Sequence, residues 1–457
     1  MRPSPDIMII SPQDNVEVRE DGHKIARRAL AAGETVIKYG CPIGHAVRPI
    51  ASGEHVHTHN LATDLAGVCA YTYDPALVEL PRVTAPKIMA YRRADGRVGI
   101  RNELWVVPLV GCVNHLAERL AAACGGIALT HPYGCSQLGE DHELTAKLLA
   151  ALCRHPNAGG VLVVALGCEN NTLESFKLRL GEASRLNIRF LRAQDAGDEY
   201  ARGLELLEEL KAARVDERTE VSVSELVVGL KCGGSDAFSG LMANPLVGRF
   251  ADWLIARGGA AVLTEVPEMF GAETQLLNRC RTRAVFDAGV KMINDFKAYF
   301  ARHGQPCSEN PSPGNKAGGI TTLEEKSLGC VQKGGVSPVE AVLASGDVVA
   351  GRGLSLLAGP GNDLVSTTLL AAAGCQLILF TTGRGTPFGS VVPTVKIAST
   401  TELAERKPHW IDWDAMAKPG VDDFAARVLR IASGEELARN ELAGERGIAL
   451  FKHGVTL

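Results

Sequence analysis

The sequence predicts an α/β protein: a small N-terminal β-clip domain, then an α/β region with a Rossmann-like C-terminal unit. Three observations predict this class. Short β-prone runs broken by glycine turns fill the N-terminal part (TVIKY, HAVRPI, HVHTH). Continuous apolar runs ending at glycine, such as GGVLVVALGC, recur along the middle of the chain and read as strands buried on both faces of a parallel sheet. From residue 345 a strand–helix–strand succession follows, with its polar loops on one edge of the sheet. The expected boundaries are 1–75, 76–335 and 336–457.

In chain order, ALAAGE and PIASGE form an approximate internal echo, each followed by a β-prone run, which suggests a compact barrel or clip. Residues 66–90 carry Pro75, Pro81 and Pro86 with little periodicity and read as a linker. VGIRNELWVVPLVGC is strand-like, HLAERLAAAC helical, GGVLVVALGC the clearest buried strand. ELVVGLKCGGSD repeats apolar run, glycine loop and then a helix through NPLVGRFADWLIARGG, and AAVLTEVPEMFG supplies the next strand. Residues 303–336 read as loop-rich. LSLLAGPGND, LVSTTLLAAAG and CQLILFTTGRGTPFG form the last strand, helix and strand.

Composition excludes several classes. A chain of 457 residues exceeds one compact core. Hydrophobic residues at 46% and charged residues at 22% fit a globular protein. A net charge of -4 leaves no cationic excess for phosphates, and 5% aromatics offer few base-stacking surfaces, so nucleic acid is not an expected partner. No stretch is long enough to span a membrane. The N-terminal MRPSPDIMIISPQDN lacks a signal peptide's apolar core, so a cytoplasmic location is expected. Twelve cysteines without CxxC spacing then read as thiols or metal ligands and not as a disulfide frame.

Six of those cysteines sit beside glycine at the ends of apolar runs or in polar strings: Cys112, Cys135, Cys168, Cys232, Cys330 and Cys375. That is where an open α/β sheet binds ligands. KCGGSDAFSG offers Ser235, Asp236 and glycine amides at a helix start, as an anion cradle or as a helix cap. PGNKAGG places Asn315 and Lys316 in a glycine loop. In TTGRGTP, Arg384 follows an apolar strand and suits carboxylate recognition, with Thr382 and Thr386 beside it; a surface turn arginine is the plainer alternative. HPYGCSQLGEDHE concentrates His131, Cys135 and several acids, and TEVPE sets Glu265 and Glu268 after a strand. In HVHTHN, His55, His57 and His59 would share one face of a strand, a spacing that suits a divalent metal, and His23 is a further candidate ligand. GPGND lacks the spacing of a phosphate loop. Thiolates of Cys135, Cys168 and Cys232 could hold an iron–sulfur cluster, although no spacing rule supports it; a mononuclear iron held by His and carboxylates also fits.

In this order, GRVGIRN, HPYGCS, LGCENN, CGGSDAFSGLMANP, PSPGNKAGGITTLEEKSLG and FTTGRGTPFG resemble the altronate/galactarate dehydratase family, which also includes sulfolactate sulfo-lyase. DGHKIA, YGCPIGHAV and GEHVHTHN resemble the SAF-type β-clip that precedes the catalytic region in altronate dehydratases. The resemblance implies a hydro-lyase that uses Fe²⁺, sometimes Mn²⁺, to convert a 2,3-dihydroxy sugar acid to a 2-keto-3-deoxy acid, with C–S cleavage or non-catalytic sugar-acid binding as alternatives. The expected partners are a small-molecule sugar acid and further copies of the chain, as a dimer. Within that chemistry Arg384 and Lys316 are expected to hold carboxylate oxygens, while Ser235, Asp236, Asn315, Thr382 and Thr386 bind the rest of the substrate. His131 or Glu169 would move the proton. Iron would sit near Cys135, Cys168 and Cys232, with His23 reaching in from a clip that acts as a lid.

Overall fold

The computed structural model describes residues 7–8 and 11–454; the stretch read for a targeting signal falls partly outside them. The N-terminal unit is two antiparallel three-stranded sheets. One joins Ile7–Met8, Val16–Arg19 and Lys24–Ala26, and the other Thr35–Lys38, Cys41–Ala46 and Leu61–Ala62. The sequence echo has a structural counterpart. Leu30 and Ile50 pair through reciprocal 2.9 Å backbone bonds, and both side chains are buried. The turn after each is closed the same way: Glu34 accepts from the Ala31 amide and Glu54 from the Ala51 amide, both at 2.8 Å. The histidine run does not form a strand with one histidine face. His55 makes a single bridge to Ile25, and the chain then turns.

Between the clip and the body, the proline-bearing segment carries no regular element from residue 63 to 86. It lies along the body through backbone bonds such as Ala76 N–H to Asn278 O (2.7 Å) and Val83 N–H to Ala256 O (2.9 Å).

Two parallel sheets follow. The first has four strands in the order Ile127–Ala128, Glu103–Pro108, Ala158–Ala165, Ile188–Arg192. Its central strand is the GGVLVVA run, buried almost end to end beneath the helices that cover both faces.

The second sheet has seven strands, in the order Val339–Leu343, Gly353–Leu357, Ala260–Leu263, Val227–Cys232, Leu377–Thr382, Thr394–Ala398, Trp413–Asp414. Every pair in it is parallel. It draws strands from both sides of residue 335. The chain starts at Val227–Cys232, builds outward on one side, and returns to the other side at Leu377–Thr382. The strand order therefore reverses between these two neighbours, and a crevice opens outside their carboxyl ends.

Residues 303–336, expected to be loop-rich, also contain the helices Pro313–Ala317 and Leu323–Cys330. Ser312 starts the first with a capping box to Asn315, and Thr322 caps the second. The second helix has no polar face to announce it, because all eight of its residues are buried, the charged Glu324, Glu325 and Lys326 included.

That helix carries the joint between clip and body. Lys24 and Lys38, both buried clip residues, converge on Glu325: Lys38 Nζ at 2.7 Å from Oε1 and Lys24 on Oε2, with Lys24 also 2.8 Å from Thr321 Oγ1. Burial works to raise the Glu325 carboxyl, but the two ammonium groups outweigh it and hold it down to about 2. Burial in turn lowers Lys24 to about 8. Glu325 titrates below its ordinary value of 4.5, so its contribution is complete above that value and is lost as pH falls from there toward about 2. Removing one partner of a buried pair strands the other, so Glu325→Gln is expected to cost about 3–5 kcal/mol in denaturant unfolding. The acid-side loss of stability expected of the parent protein should be correspondingly reduced in the variant.

Candidate functional site

The apolar strand Val227–Cys232 delivers two reactive side chains, Lys231 and Cys232, to the crevice, both buried. The two glycines after them are obligatory. A Cβ on Gly233 would stand 2.5 Å from Phe380 and 2.7 Å from the Asp363 carboxylate, and Gly234 has φ +62°. Around Cys232 lies a buried set of alternating charge. Its Sγ is 3.4 Å from Cys330 Sγ, 3.0 Å from Glu268 Oε2 and 2.8 Å from Lys333 Nζ. Glu268 also bonds Lys326 at 2.8 Å. Lys231 bridges Glu265 and Asp363, at 2.8 Å from the latter.

Glu265 has φ 74° and ψ 64°, a left-handed conformation unusual for a glutamate. Its bonds to Lys231 and to the Cys232 amide (3.2 Å) hold it there. Hydrogen bonding from Cys330 lowers the Cys232 thiol to about 6, burial opposes, and Lys333 and Lys231 help. Burial would raise Glu268, but Lys326, Lys231 and Lys333 overrule it and keep it well below the carboxylate range. Cys232, Glu268 and Cys330 bring one ligand atom each within 4.8 Å of one another and could hold a metal ion. They adjoin a cavity of about 400 Å³ that also reaches Asn310, Ser312, Asn315 and Asp363.

A second cavity, of about 680 Å³, lies between the clip and the crevice. His23, His55 and His57 of the clip line it, together with Asp236, Lys316 and Arg384. The TTGRG turn is fixed by Gly383 and Arg384 amides on the Gly234 carbonyl (3.1 and 3.0 Å) and by Gly385 N–H on Thr382 Oγ1 (2.8 Å). The charged ends of Lys316 and Arg384 have no hydrogen-bond or ion-pair partner among the described residues. Asp236 is packed between Gly318 and Gly383: a Cβ on Gly383 would collide with its carboxyl, 2.1 Å from Cγ, and one on Gly318 would crowd its Cβ at 3.2 Å. Its Oδ1 accepts from the Phe238 and Ser239 amides and from the Ser239 and Ser399 hydroxyls at 2.9–3.1 Å, while Oδ2 accepts no hydrogen bond from a described residue. Burial raises the carboxyl above its ordinary range, against those four donors.

Other expected residues are used differently. Asn315 is spent on structure: Oδ1 accepts from Ser312 and Nδ2 donates to the Ser235 carbonyl at 2.8 Å. Ser235 is buried beneath it. Thr386 Oγ1 accepts from the Phe388 amide at 3.2 Å. His131 and Glu169 lie at the ends of strands of the four-stranded sheet, not on the seven-stranded crevice. His131 donates Nε2–H to Pro108 O (2.9 Å) and accepts the Tyr133 amide on Nδ1 (3.2 Å), and burial lowers its pKa. Glu169 takes the amides of Leu166 and Gly167. Both side chains thus close their own loops. Cys135 and Cys168 are exposed on two loops of that same sheet, which meet through Ser136 N–H to Asn170 Oδ1 (2.8 Å). Cys232 meets Cys330 and Glu268 instead of these two, so the expected three-sulfur set does not assemble. His23 is exposed and donates Nδ1–H to Asp21 at 2.9 Å.

Sequence reading missed Lys231, Lys326, Lys333 and Asp363, and it did not pair Cys330 with Cys232. A signal for three of them was present. Lys326, Cys330 and Lys333 in KSLGCVQK recur at helical spacing, which puts them on one face.

Comparison with known proteins gives consecutive matches along the chain. Residues 10–64 match the altronate/galactarate dehydratase SAF domain, 90–214 the D-galactarate dehydratase/altronate hydrolase second domain, and 223–456 the D-galactarate/altronate dehydratase C-terminal region. The chain is 52% identical to the altronate dehydratase of Bacillus subtilis (strain 168), over 97% of this chain and 94% of that protein. It is 50% identical to the altronate dehydratase of Escherichia coli (strain K12), with the same coverage. It is 32% identical to the galactarate dehydratase (L-threo-forming) of Escherichia coli (strain K12), over 87% and 82%. Similarity of this extent, in register with the clip, the four-stranded sheet and the seven-stranded sheet, shows that the chain belongs to the altronate/galactarate dehydratase family and is a hydro-lyase.

Proposed function

We propose that the protein dehydrates a sugar acid of the altronate type, an aldonate or aldarate, to a 2-keto-3-deoxy acid, and that the 680 Å³ cavity receives it. The observation that carries the placement is the pair of unpartnered cations, Lys316 and Arg384, beside the half-satisfied carboxyl of Asp236. Ammonium and guanidinium groups without protein partners are suited to an ionised substrate carboxylate. As C2 loses its proton, charge moves onto that carboxylate as an enediolate, and the same two cations stabilise it more than they stabilise the ground state. Asp236 Oδ2 is the group for the proton at C2. The C3–O bond then breaks, the hydroxyl leaves as water after accepting a proton, and the enol tautomerises to the keto acid. Atoms balance without any redox step. Thr382 and Asn315 act by holding the two loops that carry the cations.

Cys232, Glu268 and Cys330 fit a bound divalent ion in donor chemistry: two sulfurs and a carboxylate suit iron(II), with manganese(II) the harder alternative. Two thiols favour a single ion over an iron–sulfur cluster, which takes more thiolate ligands. Such an ion supplies Lewis acidity. Lys326 bonds the Glu268 carboxylate and Lys333 the Cys232 sulfur, and these cations favour the ionised form of both, whereas the hydrogen bond to Cys232 and burial raise the Cys330 thiol.

The activity is tested with anaerobically prepared protein and a panel of aldonic and aldaric acids, by following 2-keto-3-deoxy acid. Product from altronate or a close stereoisomer is expected. Sulfite from sulfolactate with no keto acid from any sugar acid, or binding without turnover, overturns the reading. Arg384→Gln should lower kcat/KM roughly 10- to 100-fold, the worth of a charge-assisted bond, and Arg384→Lys should recover only part of it. Asp236→Asn should abolish turnover with little change in KM. Cys330→Ser should lower the iron content of the purified protein, measured by elemental analysis.

A further inference from the structure

The histidines of the clip form a cluster that the reaction above does not use. His55 stands between its neighbours, with ring centroids 4.8 Å from His23, 5.3 Å from His57 and 5.9 Å from His59. Two of these rings are oriented from behind. His23 Nδ1 faces the Asp21 carboxylate at 2.9 Å, and His57 Nε2 faces the Lys316 carbonyl at 3.0 Å. Both partners only accept hydrogen bonds, so each ring carries its proton on that nitrogen and turns a lone pair outward on the other. His23 Nε2 has no partner among the described residues, and His57 Nδ1 meets only the Thr58 hydroxyl, at 3.1 Å. A carboxylate or carbonyl behind the ring is how metal-ligating histidines are held. His55 hydrogen-bonds to no described residue through its ring.

We propose that His23, His55 and His57 bind a divalent transition-metal ion on the clip side of the 680 Å³ cavity, separate from the Cys232–Glu268–Cys330 group. The nitrogens do not all lie within 4.8 Å of one another, as the atoms of the thiol–carboxylate group do. A bound ion would draw the outward nitrogens together, with His23 and His57 pivoting on the nitrogens that Asp21 and the Lys316 carbonyl hold. Imidazole ligands select borderline ions such as iron(II), cobalt(II) or zinc(II) over magnesium or calcium. Glu20 and Asp21 also line the cavity, and with them the site sets acidic groups against the Lys316 and Arg384 cations. Ion binding by these histidines does not depend on the dehydration chemistry.

The test uses chelator-stripped full-length protein titrated with cobalt(II), read by visible absorption and metal stoichiometry. Thiolate ligation gives intense sulfur-to-metal charge-transfer bands; imidazole ligation gives only weaker ligand-field bands. In a Cys232→Ser/Cys330→Ser variant the charge-transfer bands should vanish while one equivalent with a nitrogen–oxygen spectrum remains. In a His23→Asn/His55→Gln variant, whose substitutions lie at exposed or half-buried positions, the charge-transfer bands should remain and one equivalent should be lost. Should the buried cysteine variant not fold, the histidine variant against the parent protein decides alone. Unchanged stoichiometry and spectrum in the histidine variant overturn the proposal, as does a folded cysteine variant that binds no cobalt.

Discussion

The clip and the seven-stranded sheet are held in register by one buried carboxylate, Glu325, which takes two ammonium groups that arrive from the clip on different strands. Three charged groups without water impose a geometric constraint, since any slip of the clip would leave at least one uncompensated. The consequence reaches the cavity directly. Thr321, four residues before Glu325 and bonded to the same Lys24, follows the AGG turn, whose packing is as tight as glycine allows. A Cβ on Gly319 would stand 2.7 Å from the Gly22 carbonyl, while the Gly318 carbonyl accepts the Ala237 amide at 2.8 Å. That turn is therefore sandwiched between the clip and the CGGSD loop. His57 then clasps the carbonyl of Lys316 from the clip side. The placement of the Lys316 side chain is thus a product of clip docking as much as of its own loop.

Below this lies the reversal of strand order in the large sheet. The adjacent carboxyl ends of Val227–Cys232 and Leu377–Thr382 let two glycine-rich turns bond to each other, Gly383 and Arg384 on Gly234. The loop between them divides two chemical environments. On one side is a closed set of thiols, carboxylates and lysines that satisfy one another. On the other is an open cavity whose cations are unsatisfied. A site that must bind an anion needs the second kind of surface, and a site that must keep a thiolate ionised away from water needs the first.

Much of this was legible in the sequence, for identifiable reasons. Strands buried on both faces are uninterrupted apolar runs, and those of Ala158–Ala165, Val227–Cys232 and Leu377–Thr382 stand where such runs place them. The repeated AGE and SGE turns mark the clip because the same glutamate–amide closure is used twice. Strand pairing was not legible, because nothing in an apolar run says which sheet it joins. The Leu323–Cys330 helix was hidden because its charges are buried against partners distant in sequence. In the site, motif residues from three segments lie around one crevice: Asp236, Lys316 and Arg384. His131 and Glu169, equally suggestive as residue types, are consumed by backbone groups two or three residues away or at the neighbouring strand end. Residue type alone does not reveal that a hydrogen-bonding capacity is already spent.

The central claim is that an ionised sugar acid occupies the space between the clip and the strand-order reversal. Hydrogen–deuterium exchange with and without a saturating aldonate tests it most directly. The account predicts added protection together in residues 54–58, 312–320 and 381–386. Protection confined to the loops of the four-stranded sheet, at 131–136 and 167–171, with none at the other three segments, would contradict it.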